Sequence, residues 1–138
     1  MKVHPYLNYG GNCEEAFRFY VKHLGAKLDM LMRFGDVPNA GDNASQSANE
    51  ILYAHLTIGD SEISGNDVSA DRFQPMRSAY LSLNVESNEE AERIYKLFTD
   101  GGEIFMPLEE TFFAHRFAML RDRFGTSWMI IHQKPMQQ

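Results

Sequence analysis

The sequence nearly lacks cysteine: Cys13 is the one thiol in 138 residues. A single cysteine excludes an internal disulfide and any multi-thiolate zinc site. Excess positive charge is lacking too. Thirteen Lys and Arg stand against nineteen Asp and Glu, the formal net charge is −6, and the basic residues form no stripe. This removes any general electrostatic pull toward nucleic acid or anionic lipid, and neither is expected as a partner. No apolar run reaches the length of a membrane span, and the stretch MKVHPYLNYGG has no unbroken apolar core of a signal peptide. A cytoplasmic location is therefore expected. Phosphate-loop and GxSxG motifs are absent, and no Gly-rich strand-to-helix turn is available for a nucleotide-like cofactor. The expected cofactor is none.

What is present fits a globular α+β protein. Hydrophobic residues make up 43% and charged residues 23% of the chain, enough apolar material for a core at this length. Ten Phe and six Tyr can fill that core and also line a cavity.

Period-two alternation from Val3 to Tyr9 predicts a first strand, with His4, Tyr6 and Asn8 on one face. Gly10-Gly11 ends it. Asn12 with Glu15 three positions on predicts a capping box, and Ala16, Phe17, Tyr20 and Leu24 recur at helical spacing up to a stop at Gly25. A strand over 27–34 follows, then a polar loop over 35–50, a candidate flap. Residues 51–58 alternate again, with Tyr53, His55 and Thr57 opposite Leu52, Ala54, Leu56 and Ile58. A return strand begins at Glu62.

The second half repeats the scheme. Residues 80–85 alternate, Ser87 and Glu90 predict a second capping box, and Ala91, Ile94, Tyr95 and Phe98 give the apolar helix positions before Gly101-Gly102. Strands are expected near 103–106, 115–121 and 127–133. Glu14, Glu15, Ala16, Arg18 and Tyr20 match Glu89, Glu90, Ala91, Arg93 and Tyr95 at a constant offset of 75. Five matches in seven positions, with both helix starts in register, predict an internal duplication. The expected modules are residues 1–68 and 77–134, in one compact globular unit. Each strand–helix–strands module covers one sheet face with its own helix and leaves the other open.

The segments PYLNYGGNCEEAFRFYVKHLGA, HLTIGDSEIS and ETFFAHRFAMLRDRFGTSWMI resemble PhnB-like proteins of the glyoxalase/bleomycin-resistance/dioxygenase, or vicinal-oxygen-chelate, superfamily, including the "3-demethylubiquinone-9 3-methyltransferase" domain type. The resemblance spans nearly the whole chain. It implies two βαβββ modules in a curved mixed sheet around a concave pocket, and a homodimer. Enzymes of the superfamily hold a divalent metal with one side chain from each of four strands, and those places fall on His4, His55, Tyr80 and Met129. Two imidazoles are suitable donors, whereas a neutral phenol and a thioether are poor ones for hard divalent metals.

The expectation is thus a metal-free pocket lined by His4, Tyr6, Tyr53, His55, Tyr80, His115 and Met129, binding a small organic ligand. The alternative is a glyoxalase-like lyase, isomerase or dioxygenase, with His4 and His55 as metal ligands and Tyr80 or His115 as acid or base. A third reading is a fold turned to a purely structural role. Trp128 is expected to face the helix as core, and His23 and His132 to face solvent. Cys13, near a helix start, is weak evidence for a reactive thiol.

Overall fold

In the first half, residues 6–9 alternate between exposed Tyr6 and Asn8 and buried Leu7 and Tyr9, and form strand β1 (Tyr6–Tyr9). The strand is shorter than the sequence alternation, because pairing begins only at Tyr6. Helix α1 (Cys13–Leu24) follows, then β2 (Lys27–Arg33), a 3-10 turn over Phe34–Asp36, β3 (Ile51–Ile58) and β4 (Ser61–Asp67). The second half runs β5 (Leu81–Asn84), α2 (Asn88–Thr99), β6 (Glu103–Glu109), β7 (Ala114–Arg121) and β8 (Ser127–Gln133). The structure is a computed structural model, and residues 1–37 and 47–135 are described. Most of the polar loop expected over 35–50 lies outside the described residues. Its base is closed by Phe34 N–H to Glu50 O and Gly35 N–H to Ala48 O, at 3.0 and 2.9 Å.

The duplication is visible in the elements. β1 and β5, and likewise α1 and α2, share the offset of 75 (6 to 81, 13 to 88). The sheets have the same order, β1-β4-β3-β2 and β5-β8-β7-β6. In each, the first strand pairs in parallel with the last, and the remaining pairs are antiparallel. The chain divides into two compact units, Met1–Gln74 and Pro75–Gln138.

In the first unit the core lies between α1 and one sheet face: Leu7, Tyr9, Phe17, Tyr20, Ala54, Leu56 and Ile63 are all buried. Tyr9 and Phe17 meet edge to face at 5.9 Å. In the second unit Ile94, Phe98, Ala118, Leu120, Trp128 and Ile130 do the same beneath α2. Trp128 stacks on Phe98 at 5.1 Å and donates its indole N–H to Asp122 at 2.8 Å. The sequence expectation for Trp128 holds.

The helix starts differ from the expected pair of capping boxes. Ser87 accepts from Glu90 N–H at 3.1 Å, but the Glu90 carboxylate turns to Arg93. Asn12 makes no side-chain cap at all, and its Oδ1 is buried without a partner among the described residues. The donors at that end go instead to Asp67, whose Oδ1 accepts from Gly11 N–H and Cys13 N–H at 3.0 and 2.9 Å. A buried ionic acceptor outcompetes the local amide because it answers two orphan donors at once.

Cys13 is fully buried, and burial pushes its thiol well above the ordinary range, helped by Asp67 and Glu14. The structure gives no support to a reactive thiol there.

Candidate functional site

On β4, alternation places Glu62, Ser64 and Asn66 on the face that α1 does not cover, and Ile63 and Gly65 toward the helix. Gly65 is required by packing: a Cβ there would meet Leu7 O at 2.9 Å and Phe17 Cζ at 3.0 Å. The helix therefore sits close against the sheet, and the uncovered face is left to polar and aromatic side chains.

Register brings these together. Tyr6 lies opposite Ser64 on one side, and His55 lies opposite Ser64 on the other. Ser64, 1% exposed, is the hub: its Oγ is 3.3 Å from His4 Nε2 and 3.2 Å from the Tyr53 hydroxyl. Tyr6 and Tyr53 are ring neighbours at 6.4 Å, and His4 meets His55 edge-on at 6.1 Å. The Tyr6 phenol is held above its ordinary value, chiefly by desolvation and then by Cys13 and Tyr53. It stays a neutral donor and acceptor. The four first-unit residues expected in the pocket thus share one face.

His55 sits between two carboxylates. Its Nδ1 is 2.9 Å from Asp29 Oδ2 and its Nε2 is 3.0 Å from Glu62 Oε1. Thr57 donates to the same Asp29 oxygen at 2.5 Å, and Lys2 pairs with Glu62. Asp29 is held below the usual carboxylate range, first by the Thr57 hydroxyl and then by His55, against some desolvation. Both ring nitrogens thus face a carboxylate oxygen.

Asp29, Glu62, Ser64 and Asn66 were not singled out from the sequence. Alternation along 61–67 would have found the last three. Asp29 depends on a break in the β2–β3 register between Leu28 and Met30, which no residue pattern announces.

In the second unit, Met129 lies opposite Ser82 and Met119 on the open face, packed with Ala114, Phe117 and Ile131. Tyr80 precedes β5, with its ring edge-on to Phe105 at 6.2 Å and its hydroxyl accepting from Arg77 at 2.6 Å. His115 lies on β7. Its ring faces His132 at 4.8 Å. His132 is half-buried, not solvent-facing, and its Nδ1 is 2.8 Å from Asn88 Oδ1 at the start of α2. His23, likewise expected in solvent, lies 4.4 Å from the Phe19 ring.

The residues at the four superfamily metal places do not fit such a centre. Both nitrogens of His55 are engaged, His4 is directed at Ser64, the Tyr80 phenol is taken by Arg77, and Met129 offers a thioether in an apolar cluster. Among the described residues no group of three or more His, Cys, Asp or Glu is placed to hold a metal ion.

The sequence profile of the 3-demethylubiquinone-9 3-methyltransferase family matches residues 1–131. The chain belongs to that family, and its fold is that of the glyoxalase/bleomycin-resistance structures. It is 31% identical to Protein YjdN of Escherichia coli (strain K12), across 99% of this chain and 100% of that one. The crystal structure of protein PA1353 from Pseudomonas aeruginosa is 35% identical, with a TM-score of 0.85 over 98% of this chain and 99% of that one. A PhnB protein from Bacillus cereus, described as a putative 3-demethylubiquinone-9 3-methyltransferase, shares the fold at 23% identity and TM-score 0.82, covering 96% and 99% of the two chains. Each unit is one βαβββ module. No described helix is long and apolar enough to cross a membrane.

Proposed function

We propose that this PhnB-like chain is a small-molecule-binding module and that the uncovered face of the first sheet carries its ligand contacts. The observation behind the reading is the Ser64 hub: a buried hydroxyl that fixes His4 and Tyr53 at 3.3 and 3.2 Å beside the half-exposed Tyr6 ring. Side chains locked by mutual hydrogen bonds are pre-organised, and a ligand meeting them loses little side-chain entropy. Tyr6 and Tyr53 supply a flat apolar surface, and His4, Ser64 and Asn66 supply polar atoms at its margin. Asn66 Oδ1 has no partner among the described residues and suits a ligand N–H.

The ligand class this favours is a small aromatic or heterocyclic molecule carrying at least one N–H donor. Methyl transfer is not part of the reading, since no Gly-rich strand-to-helix turn is present to seat a nucleotide-like cofactor. A homodimer in the cytoplasm completes it, supported by the exposed apolar side chains of Met30, Ile104 and Met106.

The test is ring-selective NMR on the intact protein, titrated with small N-heterocycles such as indole and benzimidazole. The expected result is saturable shifts at His4, Tyr6, Tyr53 and His55, with His23 and Tyr95 unmoved, and their loss in Ser64→Ala. Saturable shifts confined to other rings, or none with either compound, overturn the reading.

A further inference from the structure

We propose that Arg77 and Tyr80 form a binding site for an oxyanion, the carboxylate or phosphate group of a small organic molecule. The site belongs to the second unit and does not rest on the reading of the first sheet.

Three observations lead to it. The first is the way Arg77 is held. Its guanidinium carbon lies 3.9 Å from the centroid of the Phe105 ring, and its Nη1 donates to the Tyr80 hydroxyl at 2.6 Å. Tyr80 in turn stands edge-on to the same ring at 6.2 Å, with 82° between planes. One phenyl ring therefore orders both polar groups. A guanidinium laid on an aromatic face keeps its in-plane N–H groups clear of that face.

The second is the missing counter-charge. Arg18, Arg33, Arg93, Arg116 and Arg121 each meet a carboxylate. Arg121 approaches the same Phe105 ring at 5.6 Å but is answered by Glu103 at 2.8 Å. Among the described residues Arg77 forms no ion pair, in a chain with six more acids than bases, nineteen against thirteen. With so many carboxylates available, an ordered arginine left without one is placed to meet an anion from outside.

The third is the backbone between them. Ser78 has φ 65, and among the described residues it is the one non-glycine residue with positive φ. Side chains with a Cβ disfavour that region, and such strained positions cluster where side chains must be held for binding. Here the turn carries Arg77 back over Phe105 toward Tyr80.

The chemistry follows from the donor inventory. Because the Tyr80 oxygen accepts from Arg77, its own proton is free to donate outward. The guanidinium has five N–H groups, and one is spent on the phenol. A carboxylate or phosphate can take one oxygen to the phenol and another to the guanidinium fork, in charge-assisted bonds. Lysine in place of Arg77 would keep the charge but lose both the stacking on Phe105 and the fork.

The experiment is NMR titration of the full-length protein at constant ionic strength, with inorganic phosphate in one arm and benzoate in the other, read at the Arg77 Nε–H and the Tyr80 ring. We expect saturable shifts in at least one arm, and that arm names the oxyanion. Arg77→Gln should weaken binding about tenfold or more, Arg77→Lys by a similar factor, and Tyr80→Phe by roughly threefold. Arg121→Gln and Arg18→Gln should leave it within about twofold. Thermal midpoints of the Arg77 variants, at an exposed position, should match the parent and separate binding from folding. No saturable response in either arm, or one that Arg77→Gln leaves unaltered, overturns the proposal. So does full retention in Arg77→Lys, because a bare charge would then suffice.

Discussion

Asp67 holds the start of helix α1 from fifty-four residues away, accepting from Cys13 N–H at 2.9 Å with one oxygen. Its other oxygen accepts from Ile51 N–H at 2.8 Å, at the start of β3. One side chain thus ties together the end of β4, the beginning of α1 and the beginning of β3. It is 2% exposed, and desolvation raises its pKa although three backbone donors oppose that shift.

Removing this carboxylate should be among the most damaging polar changes in the first unit. Asp67→Ala leaves the N–H groups of Gly11, Cys13 and Ile51 without their acceptor, and a loss of about 3 kcal/mol or more is expected. Asp67→Asn keeps one carbonyl oxygen and should lose roughly 1–2 kcal/mol less than the alanine variant. Urea unfolding midpoints of the two variants, compared at neutral pH, check the order.

Glu14 sets an acid limit. Arg33 donates to its two oxygens at 2.7 and 2.9 Å, and Arg18 adds a third bond at 2.8 Å. The Arg33 hydrogen bond, foremost, holds Glu14 down to about 2 from a usual 4.5. A folded pKa below the unfolded one means stability that is complete above about 4.5 and lost as pH falls through about 2. Because the pair is a third exposed, solvent screening limits the effect to about 1 kcal/mol. Glu14→Gln should flatten the stability–pH curve over that window and leave the rest of it unchanged in shape.

Asp29 offers a local probe of the His55 arrangement. The Thr57 hydroxyl is the first cause of its lowered pKa, and His55 the next among those that lower it. In Thr57→Val, the Asp29 carboxyl resonance should titrate at higher pH than in the parent, and in His55→Gln it should also move upward, by less. An unchanged Asp29 titration in Thr57→Val would show that the hydroxyl bond does not persist in solution.

Two glycines should respond very differently to alanine. A Cβ at Gly102 would lie 2.5 Å from Arg121 O and 2.6 Å from Phe98 O, both backbone atoms that cannot turn aside. Gly59, at φ 56 in the β3–β4 turn, has nothing within 4 Å of a Cβ, so only its left-handed backbone is strained. Gly102→Ala should cost about 3 kcal/mol or prevent folding, while Gly59→Ala should cost about 1 kcal/mol. Thermal unfolding of both variants makes the comparison.

The buried Cys13 thiol should resist modification. Ellman's reagent is expected to react with it only as fast as the native state opens, and at the ordinary thiol rate once denaturant is added. Rapid labelling of the native protein would contradict the packing of α1 on its sheet.

Period-two alternation, helical spacing and the repeat together located the eight described strands and both helices to within a few residues. Those signals are carried by single side chains choosing between core and solvent, and β3, β8 and the 75-residue offset show how directly the choice is written. For the same reason the orientation of His4, Tyr6, Tyr53 and His55 was legible, since a strand has only two faces. What alternation cannot carry is partnership across strands. Asp29 reaches His55 through a register shift, Asp67 replaces Asn12 as the cap of α1, and Arg77 meets Phe105 across twenty-eight positions (105 less 77). His115 shows the limit from the other side: it was expected among the pocket residues, and beyond a register shift after Ala114 its ring lies against His132. The amino-acid sequence by itself determined the elements, their duplication and the face each side chain takes, because these follow from local burial. Only the tertiary structure decided which polar groups meet, because hydrogen bonds depend on ångström-scale register between segments far apart in the chain.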